Sequence, residues 1–131
     1  YFIPGRFAGR TMIVTGSARG MGAAAAIRAA REGAAVVGVD WLPEEGAAVV
    51  DAIRAGGGKA VFVEGDIGEE ETVTRMLQAA VDNFGGVDLA INNGHVNYRI
   101  DRILLSPFLI GTYASWIGSA WWRYPPVMPS Q

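Results

Sequence analysis

Cysteine is absent from this 131-residue chain, and lysine and histidine occur once each, as Lys59 and His95. Without a thiol there is no disulfide framework, no cysteine nucleophile and no thiolate metal site, a pattern that fits a reducing cytoplasm. One histidine leaves a zinc centre or a Ser-His-Asp triad little to build on, and His95 is expected to be a loop residue. Half of the residues are hydrophobic, yet no apolar run approaches the about 18 to 20 residues of a membrane span, so no transmembrane segment is expected. Residues Tyr1-Phe2-Ile3-Pro4-Gly5-Arg6 lack the basic start, apolar stretch and cleavage site of a secretory signal. A net charge of −2 gives no general attraction for nucleic acid or an anionic membrane surface. The length suits one small domain with one core.

What is present is more telling. Thr15-Gly16-Ser17-Ala18-Arg19-Gly20-Met21-Gly22 follows the apolar run Thr11-Met12-Ile13-Val14 and opens an alanine-rich helical stretch. A strand that turns into a helix through such a string can bring main-chain N–H groups and a helix N-terminus against a pyrophosphate. Glycine is needed where the turn bends, where a phosphate approaches and where helix meets strand, because a side chain would block each approach. Asp40 ends the next apolar run, 24 positions after Gly16. That is close to the ~20 expected for a carboxylate that accepts hydrogen bonds from an adenosine ribose. The alternative for Asp40 is a solvated strand end, and for the glycines a plain strand-to-helix turn.

Three βα units follow from pattern. Thr11 to Thr15 reads as a strand, Gly22 to Arg31 as a helix stopping at Gly33, and Ala35 to Val39 as a parallel strand buried on both faces. Pro43-Glu44-Glu45 starts a second helix that ends at Gly56-Gly57-Gly58, and Ala60 to Val63 is a third strand. In Glu69 to Phe84 the residues Val73, Met76, Leu77, Ala80, Val81 and Phe84 recur at helical spacing and are assigned to the core. After Gly85-Gly86, Val87 to Ile91 makes a fourth strand running into Asn92-Asn93-Gly94. The expected class is α/β, a Rossmann-type, doubly wound parallel sheet truncated after its fourth strand, in the order 3-2-1-4.

Thr15-Gly16-x-x-x-Gly20-x-Gly22, Asp40, Gly65-Asp66-Ile67 and Asn92-Asn93, in that order, resemble the N-terminal half of the short-chain dehydrogenase/reductase family over roughly residues 7 to 94. The resemblance implies an NAD(P) site formed by Gly16, Ser17, Arg19, Gly20, Met21, Gly22, Asp40, Trp41, Asp66, Ile67, Asn92 and Gly94, with Asp66 near the adenine. Asp40 repels a 2′-phosphate, so NAD is expected over NADP, while Arg19 pulls mildly the other way. Asn92 and Asn93 have a structural alternative, tying the fourth strand to its neighbours through their amides. The family's Asn-Asn-Ala-Gly is here Asn92-Asn93-Gly94-His95, which puts a side chain where a bare backbone passes the cofactor.

The family's catalysis resembles proton transfer by a Tyr-x-x-x-Lys pair, in which the ammonium lowers the tyrosine pKa. No tyrosine here has a lysine four residues on: Tyr98 is followed by Arg102, Tyr113 by Ile117 and Tyr124 by Met128. No catalytic residue is therefore assigned. Composition also shifts at this point. Residues 1–94 carry 12 acids and 8 bases, whereas residues 95–131 carry Asp101 against Arg99, Arg102 and Arg123, with Trp116, Trp121 and Trp122 and four of the six prolines. A change of reading frame after Asn93 is one explanation, and a segment from Ile103 to Ala120 that covers an open sheet edge is another. The chain divides into a dinucleotide-binding half-domain, residues 1–94, and a divergent tail, residues 95–131. The expected partner is a dinucleotide, with a second copy of the chain as a possible cover for the sheet edge.

Overall fold

In a computed structural model, residues 1–95 are described. The elements run β1 (Thr11–Thr15), α1 (Gly20–Arg31), β2 (Ala35–Asp40), α2 (Pro43–Ala55), β3 (Lys59–Glu64), α3 (Glu70–Phe84) and β4 (Leu89–Asn92). The four strands form one sheet in the order β3-β2-β1-β4, with every pairing parallel, as the pattern of βα units predicts. The sequence-based bounds shift by one or two residues: α1 starts at Gly20, and β4 runs from Leu89 to Asn92. Apart from His95, the proposed tail lies outside the described residues, with the Tyr98 and Arg102 pair, Tyr113, Tyr124 and the Ile103 to Ala120 segment.

Helices α1 and α2 pack on one face of the sheet. Met12, Val14, Val36 and Ala60, alternate residues of three strands, meet Ala26, Ala29 and Ala30 of α1 and Val50 and Ile53 of α2. Alanine on α1 lets the helix lie close to the strands, and Ala26, Val14 and Val36 are fully buried between them. Gly46 of α2 rests on the ring of Phe62, in the space a side chain there would need. The opposite face carries α3, whose Val73, Met76 and Ala80 are buried. Of the rest of the expected stripe, Leu77 and Phe84 are half-buried, and Val81 departs, 43% exposed. It follows buried Ala80 by one residue, about 100° round the helix, so it falls at the rim of the buried face.

Turn chemistry closes each unit. Pro43 opens α2 at its first turn with Glu44 and Glu45 beside it. Gly85 ends α3 in the left-handed conformation, φ 85°, which glycine adopts at least cost.

A polar hub ties the N-terminal residues to the end of α1. Buried Glu32 accepts Arg28 Nε at 2.7 Å and Ile3 N–H at 3.2 Å on one carboxylate oxygen, and pairs with Arg6 Nε at 3.2 Å through the other. Its carbonyl accepts Phe7 N–H at 2.9 Å, Arg28 also donates to the Tyr1 carbonyl, and the Phe2 ring lies 5.2 Å from the Arg28 guanidinium. The Arg28 hydrogen bond holds the Glu32 carboxyl below its ordinary value, with the Ile3 N–H and the charges of Arg6 and Arg28 adding to it and burial opposing. A lowered folded value means that this contribution is fully present above the ordinary glutamate pKa of about 4.3 and is lost as pH falls below it. Amide protection of residues 1–10, taken relative to intrinsic exchange at each pH, is therefore expected to fall between pH 5 and pH 3 while β1 and β2 stay protected. Glu32→Gln is expected to loosen the segment above pH 5 to about the level the wild type reaches at low pH, and to remove that step.

Candidate dinucleotide site

The carboxyl ends of β1, β2, β3 and β4 come together at one end of the sheet, and the sequence motifs lie there because each follows a strand. The turn after β1 is bent by Gly16, φ 66°, and Gly20, φ 58°, both in the left-handed region that side chains disfavour. Gly16 N–H and Ser17 N–H both donate to the Val39 carbonyl, at 2.8 and 3.3 Å, so the turn hangs from the end of β2.

Two clusters form around this turn. In the first, a side chain on Gly22 would collide with the Gly16 carbonyl oxygen and come within 2.7 Å of Asn93 Nδ2. Asn93 Nδ2 donates to that same carbonyl at 3.2 Å, and Gly94 N–H donates to Thr15 Oγ1 at 2.9 Å. A side chain on Gly94 would meet Ile67 Cδ1 at 2.6 Å and Thr15 Oγ1 at 3.1 Å. Thr15, Gly16, Gly22, Ile67, Asn93 and Gly94 are thus one packed unit, and Asn93 fulfils the tying role. Asn92 ends β4 opposite Thr15 and is exposed.

The second cluster centres on Asp40 and Ser17. Asp40 is only 8% exposed, which rules out the solvated strand end, and its two carboxylate oxygens accept Ala18 N–H at 2.9 Å and Leu42 N–H at 3.2 Å. Ser17 is buried, with its Oγ filling the space beside Gly38, where a side chain would approach it to 2.7 Å. Gly38 is therefore a site residue that motif reasoning misses. Its only signal is a glycine in the middle of an otherwise branched apolar strand, the mark of a close approach.

The remaining candidates line the rim. Arg19 and Gly20 are exposed, and the space beside Gly20 is open within 4 Å. Met21 is 81% and Trp41 62% exposed. Asp66 is exposed and accepts Gly68 N–H at 2.8 Å through Oδ1, a turn that leads into α3. His95 is exposed.

None of the three helices has a side-chain cap, but α1 begins at this rim without an acidic residue in its first turn, whereas α2 and α3 carry Glu44, Glu45 and Glu70, Glu71 there. Its first N–H groups and the positive end of its dipole face the open space by Gly20, an arrangement that suits an anion. A bare, left-handed glycine turn, an uncapped helix start and a carboxylate one strand away fit the pyrophosphate and ribose of a dinucleotide. They define a Rossmann-type nucleotide cradle.

The profile of the short chain dehydrogenase family matches residues 10–103, so the chain belongs to that family. The match extends beyond Gly94, to residues outside those described. A 3β-hydroxysteroid dehydrogenase of Mediterraneibacter gnavus is 43% identical over 95 residues, covering 72% of this chain and 34% of its own length. Among solved structures, a citronellol catabolism dehydrogenase of Pseudomonas aeruginosa is 34% identical with a TM-score of 0.65, over 70% of this chain and 38% of its own. A metagenomic short-chain oxidoreductase in complex with NADP is 31% identical with a TM-score of 0.63, over 69% and 41%. The chain spans about a third of the length of the curated relatives it matches. No helix among the described residues is long and apolar enough to cross a membrane.

Gly38→Ala is expected to destabilise the chain by about 1–3 kcal/mol through overpacking against Ser17, and Ser17→Gly in the same chain to recover most of that loss. Urea unfolding midpoints of the two single variants and the double variant measure the coupling.

Proposed function

We propose that this chain binds NAD through the adenosine and pyrophosphate half of the cofactor and does not itself catalyse hydride transfer. The observation that carries the binding half is the turn at Gly16 to Gly22, with its open space at Gly20 and its uncapped helix start. Gly20, Met21 and Gly22 would hold the phosphates, Asp40 the ribose, and Asp66, Ile67 and Trp41 would border the adenine. A bound nicotinamide supplies the hydride in this family, and the protein supplies position and a proton.

Support for NAD over NADP is electrostatic. The Asp40 carboxylate lies at the end of β2, where a 2′-phosphate would meet like charge. Arg19 favours the opposite choice, but it is exposed, and its attraction is screened by solvent and salt.

The proposal of inactivity rests on the proton. Lys59, the only lysine, opens β3 at the amino end of the strand. The cradle lies at the carboxyl ends, about 15 Å or more away at about 3.3 Å per residue. Tyr1 is held at the C-terminal end of α1 by Arg28, a helix length from the turn. Among the described residues, His95 stands three residues past β4 and is exposed, but no tyrosine lies at the strand ends. The same reading takes the chain as a cytoplasmic protein, with β4, paired on one side only among the described residues, as the edge a second copy would cover.

A thermal shift with NADH tests the binding: ligand at 100 times its dissociation constant adds about 2.7 kcal/mol of stability, and no shift would favour a packing or assembly module without a ligand. Asp40→Ala is expected to reduce the preference for NAD over NADP, and an unchanged preference would remove Asp40 from the ribose site. NADH absorbance with a panel of ketones and alcohols is expected to stay at background. Turnover that tracks the protein and falls in Tyr98→Phe would overturn the inactivity.

A further inference from the structure

Asp40 is engaged before any ligand is considered. Its carboxylate is buried at the end of β2, Oδ2 accepts the Ala18 N–H of the glycine turn, and Oδ1 accepts the Leu42 N–H at the start of α2. The turn reaches β2 in three successive steps. Gly16 N–H and Ser17 N–H donate to the Val39 carbonyl, and Ala18 N–H, next along, donates to the Asp40 side chain. The first two bonds are main chain to main chain and survive any substitution at position 40. The third does not.

We propose that Asp40 is a positioning residue for the glycine turn: its carboxylate holds the Ala18 limb against β2, so that the phosphate end and the ribose end of the cradle depend on one side chain. The binding arm of the argument rests on the dinucleotide reading above, and the positioning arm does not. Hydrogen bonds from main-chain N–H groups to an ionised carboxylate are about twice as strong as neutral ones. Each oxygen also keeps a second lone-pair site, so the two internal bonds leave acceptor capacity for two further donors. Replacing the carboxylate therefore changes more than the ligand contact. Ala18 loses its acceptor, and the limb leading to Arg19 and Gly20 loses its last tie to the sheet before α1 begins.

The first arm of the test is amide exchange on the ligand-free full chain, comparing wild type, Asp40→Asn and Asp40→Ala. Exchange at Ala18 is expected to rise about 10- to 100-fold in Asp40→Ala, the effect of losing one charge-assisted bond, with Leu42 rising too and Val14 and Val37 unchanged. Asp40→Asn keeps one acceptor oxygen and the side-chain shape, so it is expected to protect one of the two amides and release the other. It also serves as the comparison should Asp40→Ala lose protection at Val14 and Val37. Unchanged exchange at Ala18 in a variant with an intact sheet overturns the proposal.

The second arm uses ADP and 2′,3′-dideoxy-ADP, which has no ribose hydroxyl for Asp40 to accept. If Asp40 were only a ribose ligand, its substitution would weaken ADP and leave the dideoxy nucleotide unchanged, or tighten it by removing a negative charge near the phosphates. A positioning role predicts weaker binding of the dideoxy nucleotide as well, by about 3- to 10-fold, because the turn must then be ordered on binding. Dideoxy-ADP affinity equal to or above wild type overturns the proposal. If wild type binds neither nucleotide, the dinucleotide reading fails and the exchange arm alone decides the positioning.

Discussion

The contact on which the rest of the site depends is between backbone and backbone, where the start of α1 passes the Gly16 carbonyl with no room for a Cβ on Gly22. That approach fixes where α1 begins relative to β1, and so which way the N–H groups of its first turn point. The Gly16 carbonyl is in turn held by Asn93, and Thr15 by Gly94, so the end of β4 locks the strand-to-helix turn from the other side. Small residues recur along the same line. Ala26, Ala29 and Ala30 let α1 continue close to the sheet, and Gly38 admits Ser17 beneath the turn. Glycine at these positions is a steric necessity, whereas at Gly20, where the space is open, its role is a left-handed φ and a clear path for a ligand.

Charge is distributed to the same end. Helices α2 and α3 open with paired glutamates, while α1 has no acid in its first turn and carries Arg28 and Arg31 in its last. Carboxylates at a helix N-terminus satisfy the dipole internally, and leaving them out at α1 keeps that potential for something else. At the far end of α1, Arg28 is not spare. Arg28 joins Arg6 on the buried Glu32, where an acid next to the negative end of the dipole would be unfavourable without them.

Much of this was legible in the sequence, for identifiable reasons. Strand order followed from unbroken βα alternation, and the turn followed from glycines spaced for a pyrophosphate. What could not be read was which atoms a residue spends on the protein itself. Asp40 has the spacing of a ribose ligand, yet its carboxylate also holds Ala18 and Leu42, and no local pattern distinguishes an acid with one task from an acid with two. Ser17 and Gly38 are 21 residues apart and meet only because β2 lies beside β1. Val81 fits the helical period as well as Ala80, but the buried face of α3 ends between them. The Glu32 hub joins residues 3, 6, 7, 28 and 32, and nothing in the N-terminal segment announces it.

The order β3-β2-β1-β4 also has a consequence for the time at which the cradle exists. β1 is made before β2, β3 and β4, yet one of its edges stays open until β4 arrives, since Thr15 pairs with Asn92 and the Asn93 amide reaches Gly16 across 77 residues. During vectorial synthesis at about 5–20 residues per second, β1, β2 and β3 can pair while the turn at Gly16 still lacks its lock, for several seconds at the slower rates. Contacts of such separation form late because loop closure must come first. The glycine turn is thus made before β2, β3 and β4 and takes its final shape only after all of them, and a nucleotide can meet a finished cradle only after Gly94 has left the ribosome.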